Sequence, residues 1–209
     1  MAEIVFVVGT GTDVGKTHVT RALSLAARAP AWKPVTSGGL DDVVRLEAAP
    51  PMFALSEPLS PHLAARIDGV VIDASAIARE AIERAKAHER YLVESAGGLY
   101  SPVSVRETNA DIARAFGAAA KLLLVAPDRI GVLHDVGATL RAARGDGLTV
   151  AGIVLSAPAV PDRSTGTNAE ELVKLGLART VVTFPRAGVE DPETRRAAEE
   201  CLAALARPT

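Results

Sequence analysis

Residues 9–17 read Gly9-Thr10-Gly11-Thr12-Asp13-Val14-Gly15-Lys16-Thr17, and this stretch decides the fold. The apolar run at 4–8 leads into it, and an Ala/Leu-rich helical pattern over 17–28 leads out. A strand, a glycine-rich turn and a helix in that order leave backbone N–H groups unpaired at the helix start, where the dipole favours an anion. Lys16 then supplies a point charge for β- and γ-phosphates, and Thr17 a hydroxyl for Mg2+. The spacing is Gly9-x5-Gly15-Lys16-Thr17, one residue longer than the usual Gly-x4-Gly-Lys-Ser/Thr loop. A tight turn with no ligand is the plain alternative. Gly-Lys-Thr directly after the first strand weighs against it.

Outward from this loop, apolar runs at 91–93, 122–125, 150–155 and 181–184 show no alternation, as expected of strands covered on both faces. A shorter run spans 31–35. Helical patterns at 75–88, 109–116, 134–143, 169–175 and 192–206 separate the strands. Each has Ser, Thr, Asp or Asn near its start or Gly near its end. The alternation predicts an α/β fold: a P-loop NTPase-like, doubly wound, mainly parallel sheet flanked by helices. No repeat is present, and 49–62 and 157–167 read as loops. Residues 1–209 are expected to form a single domain.

Composition narrows the function. The 209 residues carry 23 basic and 25 acidic side chains, for a net charge of −2, too little positive charge to follow a polyphosphate backbone. Four Phe, two Tyr and one Trp give no platform for stacking bases. Nucleic acid is therefore not an expected partner. Cys201 is the only cysteine, which excludes an intrachain disulfide and cysteine-rich zinc sites. Residues 1–3 carry an acid where a signal peptide needs base, and 4–8 is too short for a signal core or a membrane span. A cytoplasmic protein without membrane contact is the expectation.

Charged residues recur after other strands, where an open α/β sheet faces its ligand. Lys33, in Lys33-Pro34-Val35-Thr36-Ser37-Gly38-Gly39, is placed to be a second cation near a transferring phosphate. Ser37 and the glycines would form a polar loop of close approach. A solvated lysine before a turn is the alternative. Glu94 ends the run at 91–93 and precedes Ser95-Ala96-Gly97-Gly98, a suitable place for a metal-directed carboxylate. The alternative is an exposed edge or capping acid. Asp41 and Asp42 begin a helix-like segment, where acids also suit the helix dipole, so Asp42 reads equally as cap or metal ligand. His18, His62, His88 and His134 show no zinc spacing and read as structural or loop residues.

Taken together, Gly9–Thr17, Lys33-Pro-Val-Thr-Ser-Gly38, Ser60-Pro-His62 and Val93-Glu-Ser-Ala-Gly-Gly98 resemble the ordered motifs of dethiobiotin synthetases. The longer Gly-Thr-x-Thr-acid-Val-Gly-Lys-Thr loop is that family's variant. The resemblance covers roughly residues 4–100 by motif and the remainder by topology. It implies ATP- and Mg2+-dependent carboxylation of 7,8-diaminopelargonic acid with CO2. A carbamate forms on one amine, is phosphorylated to a carbamic–phosphoric anhydride, and is attacked by the neighbouring amine to close the ring.

The resemblance also assigns roles. Lys16 holds the phosphates and Lys33 stabilises the carbamate and the transferring group. Thr12 and Ser37 orient the substrate. Thr17, Asp42 and Glu94 organise Mg2+. Gly11, Thr12, Asp13, Val14, Gly15, Gly97, Ser156 and the segment Pro185-Arg186-Ala187 belong to the nucleotide site. A homodimer with substrate near the subunit interface is implied, and the apolar segment 130–133 reads as either interface or core. Asp13 stands where Glu is more usual, Ser95 where Gly is commoner, and Ser156-Ala157 where the family carries an adenine-reading Asn-Asp. Two other classes share the scaffold. Amidating synthases of corrin biosynthesis add a glutamine-hydrolysing domain for which this chain has no room. ParA/MinD-like switch ATPases carry a lysine early in the loop, where this chain has Gly9-Thr10-Gly11-Thr12.

Overall fold

The computed structural model describes residues 2–207. The first half runs β1 (Glu3–Gly9), α1 (Lys16–Ala27), β2 (Ala31–Trp32), β3 (Val35–Ser37), α2 (Asp41–Leu46), β4 (Phe53–Leu55), α3 (Pro61–Ile67) and α4 (Ala74–Ala85). The second half runs β5 (Arg90–Gly98), α5 (Asn109–Phe116), β6 (Ala120–Pro127), α6 (Val132–Gly145), β7 (Val150–Ser156), α7 (Asn168–Lys174), β8 (Val181–Phe184) and α8 (Pro192–Leu205). Six strands form one sheet in the order β2-β5-β1-β6-β7-β8, every pairing parallel. The expected doubly wound α/β architecture is therefore present.

β1 explains why its sequence does not alternate. Ile4, Phe6 and Val8 join a core that includes Ile77 of α4, Ile112 of α5 and Val136 of α6. Val5 and Val7 point the other way, into a core with Val19 and Leu23 of α1 and Ala198 and Leu205 of α8. Both faces exclude water, so both must be apolar. The chain leaves β1 toward β2 and β5 on one side and later passes to β6 on the other. The C-terminal end of β1 is thus the switch point of the sheet, where such folds open a ligand crevice.

Three sequence expectations change in detail. The run at 31–35 is two strands, because Pro34 has no N–H to continue a ladder. β2 stays on the main sheet, while β3 pairs with β4 in a separate two-stranded parallel sheet. The stretch 49–62 is accordingly more than a loop: it contains β4 and the start of α3. The Pro34 carbonyl accepts from the N–H groups of Met52 and Phe53, at 2.9 Å each, and so starts that pairing. Finally, β5 does not stop at 93. It runs through Glu94 and the small residues that follow, pairing Gly98 with Gly9 of β1.

Helix ends follow local chemistry. Asp73 caps α4 by accepting from the Ala76 N–H, and Thr108 with Asp111 forms a reciprocal capping box on α5. Cys201 is buried on α8, where burial pushes its thiol up to about 12 and removes it as a nucleophile at neutral pH. No helix among the described residues is long and apolar enough to cross a membrane.

Phe6 links the central strand to α5: it is buried, and its ring centroid lies 5.3 Å from that of Phe116. Phe6→Ala is expected to cost about 3–5 kcal/mol of stability, through lost transfer energy and the cavity left behind. Urea unfolding that shows a loss below about 1 kcal/mol would contradict this packing.

Candidate active site

The loop between β1 and α1 is held from both flanks. The Thr10 N–H donates to the Val125 carbonyl of β6 at 3.0 Å, and the Leu99 N–H donates to the Gly9 carbonyl at 2.9 Å. Gly15 caps α1 with φ 92°, in the left-handed region. A Cβ there would lie 2.3 Å from Ser156 Oγ, so glycine is needed for both conformation and space. Val14 turns its side chain into the core below, which anchors the loop from beneath. Lys16 is buried at the start of α1, and its Nζ donates to the Gly11 carbonyl at 2.9 Å. Burial takes its ammonium group down to about 8, against the opposing pull of Glu94.

Beside the loop lies a buried charge network. Glu94 has no exposed surface, because it lies within β5 rather than at its end. Its Oε1 accepts from Lys33 Nζ at 2.8 Å and from Thr17 Oγ1 at 2.9 Å. Lys33 is buried, not a solvated surface lysine, and its ammonium also bonds Asp42 Oδ2. Burial would lower the Lys33 pKa, but Glu94 and Asp42 together raise it above its ordinary value. Burial would raise that of Asp42, but Lys33, with Thr17 and Arg45 in support, brings it below the usual carboxylate range. Asp42 reaches this position from the first turn of α2.

These groups border a cavity of about 1000 Å³ at the C-terminal end of the sheet. Thr12, Asp13, Gly15, Lys16 and Thr17 line its loop side, and Lys33, Ser37 and Asp42 its far side. Gly97 contributes the end of β5. Ser156 and the segment Pro185, Arg186 and Ala187 form the remaining wall. Three sequence candidates lie off the cavity surface: Val14 in the core, Glu94 beneath the floor, and Gly11, which presents its carbonyl to Lys16. Ser156 is buried with its hydroxyl close over Gly15, so it packs against the phosphate loop.

Several contributors escape a reading of the sequence. His18 Nε2 donates to the Pro185 carbonyl at 3.2 Å and its ring packs edge-on to Phe184, so α1 is tied to the 185–187 segment. Burial lowers the His18 pKa, consistent with a neutral ring in this contact. Arg45 and Thr36 also face the cavity, as do Pro58, Leu59 and Ser60. Ser101 shapes its edge, where its Oγ accepts from the Gly98 N–H at 2.8 Å. Only Thr36 and Ser60 lay within quoted motifs; Arg45 and Ser101 carry no local signal. His62 sits in the first turn of α3, bonded through Nδ1 to Ser60 Oγ at 2.9 Å, as suits a structural histidine.

The chain as a whole matches known proteins. A family model described as an AAA domain matches residues 3–193. The ATP-dependent dethiobiotin synthetase BioD of Anaeromyxobacter dehalogenans is 36% identical over 200 residues, covering 86% of this chain and 88% of that protein. The same enzyme from Rhodopirellula baltica is 36% identical over 206 residues, covering 82% of this chain and 80% of its own. That of Saccharopolyspora erythraea is 34% identical, with 91% and 90% covered. Among solved structures, a ParA family ATPase from Chlorobium tepidum TLS superposes with a TM-score of 0.59 at 14% identity, covering 96% of this chain and 98% of that one. Apo McdA from Cyanthece superposes at 0.60 and 13% identity, covering 98% and 100%. At such identities the ATPases share the fold alone. The synthetases share sequence over most of both chains, and the chain accordingly belongs to the ATP-dependent dethiobiotin synthetase family of ligases.

Proposed function

We propose that this chain forms dethiobiotin from 7,8-diaminopelargonic acid, CO2 and ATP, with residues 1–209 acting as one synthetase domain of a cytoplasmic homodimer. The observation that carries the reading is Lys33. It is a buried cation held between Glu94 and Asp42, opening onto the same cavity as the phosphate-loop lysine. A switch ATPase needs only the phosphate site. A second fixed cation beside it suits a reaction in which a carbamate must be held against a phosphoryl group.

The roles follow from charge and geometry. Lys16 leaves the Gly11 carbonyl to meet the phosphates, and negative oxygens there favour its protonated form. Lys33 acts as a fixed positive charge and not as a base, since its two carboxylate neighbours hold its proton. It stabilises negative charge on the carbamate and on the group in transfer, which is worth most in a site that excludes water. Thr12 and Ser37 orient the reacting end of the substrate. Gly15, Asp13, Ser156 and the segment 185–187 surround the nucleotide, with Arg186 as a cation on that wall. Ile130 is exposed, whereas Val132 is buried, so the segment 130–133 is divided between surface and core, and Ile130 suits a subunit contact.

The residues also fit Mg2+. Glu94 Oε2 is buried and has no hydrogen-bond partner among the described residues, an acceptor-only oxygen left for a cation. Thr17 and Asp42 add two more oxygen donors of the kind Mg2+ prefers. Bound there, the ion neutralises triphosphate charge. Thr17, Asp42 and Glu94 would hold it, and Lys33 keeps Glu94 and Asp42 in place.

Lys16→Ala is expected to lower dethiobiotin formation by at least about a hundredfold, roughly 3 kcal/mol, while the melting temperature stays near that of the parent. A well-folded variant with parental turnover would exclude Lys16 from phosphate binding. Lys33→Gln is expected to reduce single-turnover chemistry on the order of a hundredfold and ATP affinity much less. A loss confined to nucleotide affinity would make Lys33 a clamp rather than a stabiliser of the reacting groups. With Ser156 packed on Gly15, base discrimination should be modest. The kcat/KM ratio of ATP over GTP or CTP is expected below about a thousandfold, roughly 4 kcal/mol. A larger ratio would show that Arg186 or backbone groups read adenine.

A further inference from the structure

Thr36 carries a polar atom that the fold itself leaves without a partner. It sits in the middle of β3, is 4% exposed, and lines the catalytic cavity beside Ser37. Its Oγ1 is buried and makes no hydrogen bond among the described residues. A hydroxyl has one proton to donate and two lone pairs to fill, and leaving it dry destabilises a folded chain relative to a methyl group in the same place.

The strand around it is firmly placed, so looseness does not account for the orphan. Thr36 is in register with Ala54 of β4, and the Gly38 N–H closes the strand end by donating to the Leu55 carbonyl at 3.0 Å. Gly38 has φ 75°, and a Cβ on it would fall 2.4 Å from the Pro58 Cβ, so glycine alone lets this strand close against the 58–61 segment. Two other unpaired buried hydroxyls, Thr20 on α1 and Thr194 on α8, do not line the cavity. Glu94 Oε2 has the cation site to satisfy it. Thr36 is left as the uncharged orphan at the cavity wall.

The wall points to which ligand. Thr36 belongs to the small sheet, with Ser37 next to it and Pro58, Leu59 and Ser60 alongside. The phosphates belong to Lys16 and Thr17, at the start of α1 behind the central strand of the large sheet. Rotation about χ1 by one rotamer carries the threonine hydroxyl to the place held by its methyl or by the hydrogen on Cβ, so a hydroxyl hidden in the wall can be turned to a ligand. Resting on the function proposed above, we propose that Thr36 is a substrate-binding residue whose hydroxyl donates to a carbamate oxygen of the carboxylated diamine and is satisfied only in that complex.

The test uses the full-length enzyme and its Thr36→Val, Thr36→Ala and Thr36→Ser variants. Melting temperature, ATP affinity by calorimetry, and kcat and KM for 7,8-diaminopelargonate are measured for each. Thr36→Val keeps the shape and removes the hydroxyl. Its melting temperature is expected to equal or exceed that of the parent, since an unpaired polar group has gone. ATP affinity should stay within about twofold, while kcat/KM for the diamine falls at least about tenfold. Thr36→Ala should show the same kinetic loss, and Thr36→Ser should recover to within about threefold. The proposal is overturned if Thr36→Val keeps kcat/KM within about twofold. It is equally overturned if that variant melts several degrees lower, which would reveal a structural partner such as a buried water, or if the loss falls on ATP affinity instead. Absence of dethiobiotin formation by the parent enzyme would count against the functional reading. Product formation by the parent with an unaltered Thr36→Val would count against Thr36 alone.

Discussion

Burying a carboxylate away from water costs several kcal/mol unless a charge and hydrogen bonds replace the lost solvation. Glu94, fully enclosed in the middle of β5, imposes that requirement on everything near it. Lys33 answers it with charge, and Thr17 with a hydrogen bond. Lys33 is itself buried, and its ammonium pairs with Asp42 as well as with Glu94. Two residues from separate segments, Lys33 and Thr17, thereby converge on one oxygen atom of Glu94, and Asp42 is held through Lys33. Removing Lys33 would leave the buried Glu94 charge unpaired, so the arrangement holds its geometry before any ligand arrives. The second oxygen of Glu94 makes no hydrogen bond among the described residues, and the proposed Mg2+ site draws on it.

The cavity built on this network has walls of different character. The phosphate loop and the 185–187 segment belong to the large sheet, and His18 joins them directly by bonding α1 to the Pro185 carbonyl. The opposite wall belongs to the small β3–β4 sheet, closed by Gly38 against Pro58. Lys33 stands between the two sheets, in the link that Pro34 breaks away from β2. A cation at that joint can act on groups delivered from either side. This is the positioning that phosphoryl transfer to a bound carbamate requires, where orientation and charge do most of the catalysis.

The scaffold does not settle the activity. ParA-type ATPases superpose on nearly the whole chain, yet a shared fold hosts many functions, and the side chains of the site distinguish them. In this chain the site carries the buried Lys33–Glu94–Asp42 network and the small sheet beside it. Lys33, Asp42 and the small sheet lie between α1 and β5, and Glu94 lies within β5 itself.

Much of the fold was legible in the sequence. Non-alternating apolar runs can be satisfied only by strands covered on both faces, so the parallel sheet followed from local pattern. Gly15-Lys16-Thr17 at a strand-to-helix turn fixed the phosphate site, because backbone geometry and charge there are local properties. Lys33, Asp42 and Glu94 were recognisable as residue types in suitable places. Their burial, and the single oxygen on which Lys33 and Thr17 converge, depended on strands distant in sequence. The division of 31–35 was encoded by Pro34, but the pairing of β3 with β4 needed a partner from 53–55. Thr36 gained its position when the two sheets came together, and His18 when α1 met the segment after β8, since neither burial nor an unpaired hydroxyl is a property of a residue's neighbours in sequence.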